Sequence, residues 1–169
     1  MGYSVMRKMV ALGFAVAILA TAPARADEFL PNPDLTPGET NPDITQENIA
    51  DTICNHHGWS TKSIRPPANY TNKLKVKQIE EYGYEDTDPH SYEEDHLIPL
   101  TLGGNPRDPH NLWPEPWDGE YGAHVKDKLE VKLNKLVCSE ELTLEEAQHA
   151  IATNWIAAYK QYVGVKVAR

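Results

Sequence analysis

Residues 93 to 114, EEDHLIPLTLGGNPRDPHNLWP, decide how this chain is read. Leu97 to Leu102 is rich in β-formers and apolar side chains, Gly103-Gly104-Asn105-Pro106 interrupts it, and a second apolar run follows at Asn111 to Trp113. Two short strands joined by a loop fit that order. The stretch also carries an adjacent acid and imidazole, Asp95-His96, and an Asn in an apolar setting, Asn111.

Hydrolysis of a phosphodiester needs a base to take a proton from water, a cation to offset charge growing on phosphate oxygens, and a group that holds both still. His96, Asp95 and Asn111 could fill those roles. An Asp-His pair alone is commonly a surface pair, so the weight rests on the whole string. Through Asp95-His96, Ile98-Pro99-Leu100, Gly103-Gly104 and Asn111-Leu112 it resembles the HNH endonucleases, whose site is a ββα-metal finger. Arg65-Pro66-Pro67, Leu74-Lys75, Tyr82-Gly83, Trp113-Pro114, Lys126-Asp127 and Glu130 extend the resemblance to small secreted bacterial HNH proteins, over roughly Cys54 to Tyr162. The resemblance implies an α+β fold, a small mainly helical domain around a finger at about 92–137. It makes His96 the general base, Asp95 a metal ligand and Asn111 the residue that orients hairpin and base.

The third element departs from the commonest HNH pattern, since the zinc-binding Cys-x-x-Cys pairs that often flank it are missing. Pro114 to Gly119 lengthens the connection before a helix expected to start near Glu120 or Tyr121. His124 and Asp127, three apart on one helix face, are the candidate partners of Asp95 on a metal ion, with Glu130 behind them. The alternative is a solvated face opposite a buried stripe of Val125, Leu129, Leu133 and Leu136. One divalent ion is expected, Mg²⁺ or Mn²⁺ for hard oxygen donors, Zn²⁺ or Ni²⁺ if a His joins them. Adjacent strand residues point to opposite faces, so Asp95 and His96 can share a site only at a bulge or a strand end. Glu93 goes with Asp95 and Glu94 with His96. Either could orient the imidazole or a metal-bound water, or be an ordinary strand-edge charge.

Arg7-Lys8, an apolar run from Met9 to Ala20 and Ala24-Arg25-Ala26 make residues 1–26 a secretory signal peptide, too short in its apolar part to be a membrane anchor. Export to periplasm or medium follows. Residues 27–50, with Pro31, Pro33, Pro37 and Pro42, are expected to be an extended or disordered lead-in, and 51–169 the nuclease-like domain. Cys54 and Cys138 pair as a disulfide in an oxidising compartment; closing a loop of about eighty residues is worth roughly 3 to 5 kcal/mol in the entropy model. Neither cysteine has a second ligand at zinc spacing, although His56 and His57 follow Cys54 closely.

The formal net charge of −9 argues against tight binding of nucleic acid by bulk charge. Its distribution is uneven, because Lys62, Arg65, Lys73, Lys75 and Lys77 lie in a stretch without Asp or Glu. They are the candidate nucleic-acid contacts, against the alternative of a charged helix surface, since Tyr70 to Gly83 reads as an amphipathic helix with Leu74, Ile79 and Tyr82 inward. Thr143 and Glu146 form a capping-box pattern opening a helix to about Val163, on which His149, like His90 elsewhere, reads as a surface or packing residue. The reading is thus a secreted metal-dependent nuclease acting on DNA, with RNA a second candidate, and little sequence preference. The competing reading is an exported binding or structural protein that keeps an HNH-like scaffold without catalysis.

Overall fold

The computed structural model describes residues 29–55 and 57–164, so the expected signal peptide at 1–26 and His56 lie outside the described residues. The fold is α+β: among the described residues, three α-helices and one two-stranded antiparallel sheet, linked by short 3₁₀ turns. Helix α1 is Ala68–Tyr82, strands β1 and β2 are Tyr92–His96 and Leu112–Pro116, and helices α2 and α3 are Ala123–Cys138 and Leu144–Tyr162.

The strands pair without a bulge, Glu93 opposite Glu115, Asp95 opposite Trp113 and His96 opposite Leu112. The first strand lies earlier than the apolar run that announced it. Leu97, Ile98, Leu100 and Leu102 are all buried, and Leu100–Leu102 is a 3₁₀ turn. A run buried on every side needs no alternation, and Pro99 offers no donor to a ladder. The turn that reverses the chain depends on glycine. Gly103 sits at φ +71°, and a Cβ on Gly104 would come 1.7 Å from the Ile98 carbonyl oxygen. Gly104 N–H instead donates to Pro99 O at 3.0 Å.

Helix α1 ends where Gly83 adopts the left-handed conformation, and its N–H caps the last turn. Helix α2 starts at Ala123, after a close turn in which a Cβ on Gly122 would meet Trp117 O at 2.2 Å. Helix α3 opens on the expected capping box: Thr143 Oγ1 accepts from Glu146 N–H, and Thr143 N–H donates to Glu146 Oε2 at 2.8 Å. It kinks at Asn154 (φ −165°, ψ 92°), whose Oδ1 caps the restarted turn at Ala157 N–H.

Helices α2 and α3 pack Leu129, Leu133, Val137, Ala147, Ile151 and Trp155 into one core with Leu97, Leu102 and Trp113. The Cys54–Cys138 disulfide, Cα atoms 5.5 Å apart, ties the N-terminal part to the end of α2. The lead-in has little regular structure, as its prolines require, but is ordered as a strap. Phe29, Ile44 and Ile49 are buried, Phe29 O accepts from Trp155 Nε1 at 2.9 Å, and Gln46 Oε1 caps the first turn of α3 through Leu144 N–H at 2.7 Å. Its few apolar side chains suffice because the rest of the fold supplies their partners, Phe29 lying edge-on to Tyr121 and Ile44 against Gly103. No helix among the described residues is long and apolar enough to cross a membrane.

Candidate functional site

The alternation of β1 divides the candidate residues between two faces. Toward α2 point Glu93 and Asp95, joined by Glu115 from β2. His96, the last residue of β1, falls with Glu94 on the other side, toward α1.

On the α2 side the central group is Lys126. Its side chain is fully buried, and its Nζ donates to Asp95 Oδ2 at 2.5 Å, Glu130 Oε1 at 2.5 Å and the His96 carbonyl at 2.9 Å. An ammonium has three N–H donors, and these three bonds use them all. Glu115, also fully buried, places Oε2 3.9 Å from the same nitrogen. Burial alone would raise Asp95 and lower Lys126, but mutual attraction outweighs it, so Asp95 is held below the usual carboxylate range and Lys126 well above its own. Burial pushes Glu115 well above the usual carboxyl range against the pull of Lys126, with Asp95 and Glu130 adding to the rise. Burial also moves Glu130 and Glu93 up to about 7. Both carboxyl oxygens of Glu115, and Trp113 Nε1 beside it, are nevertheless buried without a hydrogen-bond partner among the described residues.

On the α1 side His96 is buried, and its Nε2 lies 3.1 Å from Pro106 O. A carbonyl only accepts, so Nε2 carries the hydrogen and the lone pair sits on Nδ1. Burial lowers the pKa of His96 despite the neighbouring Asp95, which keeps the ring neutral near pH 7. Both carboxyl oxygens of Glu94 are buried without a partner, and burial raises that group to about 8 against the pull of Lys75. Asn111 has no exposed surface. Its Oδ1 accepts from Ile98 N–H at 2.9 Å while Nδ2 donates to Ile98 O and Asn105 O, each at 3.0 Å. It therefore clamps both ends of the loop from which the Pro106 carbonyl holds His96.

The predicted metal ligands do not assemble. His124 and Asp127 are exposed on α2 and meet each other at 3.6 Å, with His124 packed on Trp117. Helix α2 begins at Ala123, later than expected, and because its buried face carries Leu129 and Leu133, Lys126 and Glu130, one turn apart, meet the hairpin in their stead. Among the described residues no group of three His, Cys, Asp or Glu side chains is placed to hold a metal ion. The carboxylates that do converge enclose an ammonium, so the donor set does not fit the divalent ion that the resemblance implies.

The five basic candidates are also dispersed. Lys62, Arg65 and Lys73 are exposed, and the charge of Arg65 acts on both His96 and Glu93. Lys75 is half-buried with Nζ on Tyr92 O at 2.8 Å, and Lys77 pairs with Glu81 at 2.6 Å on the surface of α1. Lys126 and Glu115 were not among the predicted site residues. The available signal was the spacing of Lys126, Leu129 and Leu133, which puts the lysine on the buried stripe of its helix.

No family model, curated protein or solved structure matches the chain.

Proposed function

We propose that the chain is an exported HNH-type hydrolase of phosphodiester bonds, acting on DNA, with RNA as a second substrate. The observation that carries this reading is His96: a buried, neutral imidazole with Nε2 committed to the Pro106 carbonyl and Nδ1 left as the basic nitrogen. In the proposed reaction Nδ1 takes a proton from water as its oxygen bonds to phosphorus and the bond to the 3′ oxygen breaks, the departing oxygen taking a proton from solvent to leave as a hydroxyl. Arg65, exposed and electrically felt by His96, is the nearest candidate for offsetting phosphate charge. Asn111 holds the loop behind the imidazole. No step is routed through a metal ion, because Asp95 is already engaged by Lys126.

The second reading, an exported binding or structural protein, is favoured by that same paired cluster and by the net charge of −9. One digestion separates the two. Oxidised mature protein is incubated with plasmid, linear DNA and RNA in Mg²⁺, Mn²⁺, Zn²⁺ or EDTA, beside His96→Ala. Cleavage that disappears with His96 supports the hydrolase. Absence of cleavage in every condition, from protein shown to be folded, supports the scaffold.

A further inference from the structure

We propose that the Lys126 ammonium is a resident cation standing where the resemblance puts a metal ion, so that Asp95, Glu115 and Glu130 bind no divalent metal while Lys126 is present. Three carboxyl groups and a backbone carbonyl from two strands and a helix supply hard oxygens of the kind a divalent ion takes, although with Lys126 among them no three of the side chains are placed to hold one. Here they converge on one nitrogen, within 2.5 Å for Asp95 and Glu130, 2.9 Å for the His96 carbonyl and 3.9 Å for Glu115. The ammonium has no exposed surface and no spare donor. A lysine fixed in this way can neither touch a substrate phosphate nor step aside for an ion without leaving a buried charge unpaired.

The substitution changes what the site can do. A metal ion could bring its own bound water and a direct contact to phosphate; Lys126 brings only a fixed positive charge beneath Asp95 and the His96 carbonyl. The cations available to a substrate are then those at the surface, Arg65 first. Cleavage, if the hydrolase reading holds, is expected to persist in EDTA. The metal's place rests on that reading. The engagement of the carboxylates by Lys126 does not.

The test is a calorimetric titration of EDTA-stripped, oxidised protein with Mn²⁺ and with Zn²⁺, beside Lys126→Ala, with folding checked by circular dichroism. The parent is expected to show no one-to-one binding up to millimolar Mn²⁺. Lys126→Ala is expected to gain one Mn²⁺ per chain, with at least a tenfold gain in affinity, and to lose it again when Asp95→Asn is added. One-to-one binding by the parent that vanishes in Asp95→Asn would overturn the proposal, as would a folded Lys126→Ala that takes up no Mn²⁺. Should Lys126→Ala fold only when Mn²⁺ is supplied, that is the expected gain; should it fold in neither condition, the parent titration decides. The digestion distinguishes the two readings. Metal-requiring cleavage with metal bound by the parent keeps the hydrolase and removes the resident cation, whereas no cleavage and no binding does the reverse.

Discussion

The two faces of β1 each bury a carboxyl group without a hydrogen-bond partner, Glu115 toward α2 and Glu94 toward α1. They differ in the group at their centre, a saturated ammonium on one and an imidazole with a free nitrogen on the other. Toward α2, every donor of Lys126 is taken and Asp95 is held ionised by it. Toward α1, His96 keeps Nδ1 free of any hydrogen bond among the described residues, and both carboxyl oxygens of Glu94 are unpartnered. A buried ammonium with every donor used fixes the shape around it, even though Glu115 beside it has no hydrogen-bond partner, while a neutral imidazole with a free basic nitrogen can act on an incoming ligand. Chemistry is therefore expected on the His96 face and folding energy on the Lys126 face, and exchanging the two effects by mutation would break the comparison.

The largest effect is expected for His96→Ala. A positioned base contributes about 10²- to 10⁴-fold, so cleavage should fall by that factor while the thermal midpoint changes little beside it. Because burial lowers the pKa of His96, the acid limb of kcat/KM should lie below the ordinary 6.5 of a free imidazole. A limb above 6.5, or an active His96→Ala, would remove His96 as the base.

Next in size is Lys126→Met, read by denaturant unfolding. Removing one partner of a buried pair costs roughly 3 to 5 kcal/mol because the carboxylates are left buried without it. Against a total stability of roughly 5 to 15 kcal/mol for a domain, that is a large share. Lowering the pH toward 4 should return part of the loss by protonating Asp95 and Glu130. If Lys126→Met were as stable as the parent at pH 7, the paired face would not hold the fold together.

The third effect is smaller and depends on pH. Glu94 keeps its proton in the folded state up to about 8, against an ordinary value of 4.5. Between those values the folded protein binds the proton and the unfolded chain does not, so the contribution of Glu94 to stability falls as pH rises from 4.5 to 8 and is constant above. Glu94→Gln removes the penalty. The variant should match the parent near pH 4 and exceed it by roughly 1 to 2 kcal/mol near pH 8.5, a gain of several degrees in thermal midpoint. An equal midpoint at both pH values would mean that Glu94 finds a partner in solution.

The sequence disclosed these two faces unevenly. The capping box of α3, the Gly103-Gly104 turn and the disulfide were readable because each is set by local chemistry or, for two cysteines, by the absence of any other pairing within the chain, whereas the α+β class came from the resemblance. His96 and Asn111 were named from the pattern of one short stretch, and both lie at the hairpin. Lys126 was passed over because a lysine is ordinarily a surface residue, and only tertiary contacts show three acceptors waiting for it. The spacing of Lys126 with Leu129 and Leu133 places the lysine on the buried stripe, but does not reveal the acceptors it meets there. The strap of 29–50 was legible as extended but not as packed, since Phe29 and Gln46 find their partners more than ninety residues away.

The smallest expected effect separates the helix face the sequence favoured from the one the fold uses. His124 and Asp127 form an exposed pair, their side chains 76% and 61% accessible, and such pairs contribute roughly 0 to 1 kcal/mol. The double variant His124→Ala/Asp127→Ala should therefore unfold within about 0.5 kcal/mol of the parent and cleave at an unchanged rate, with no change in response to added Mn²⁺ or EDTA. The charge of Asp127 does reach Glu93 and Glu130, so a modest downward shift in the titration of those two carboxyls is the one electrostatic trace it should leave. A loss of cleavage restored by excess Mn²⁺ would instead make these side chains metal ligands after all. The active face would then extend around α2 past Lys126, and the division between the two sides of β1 would no longer hold.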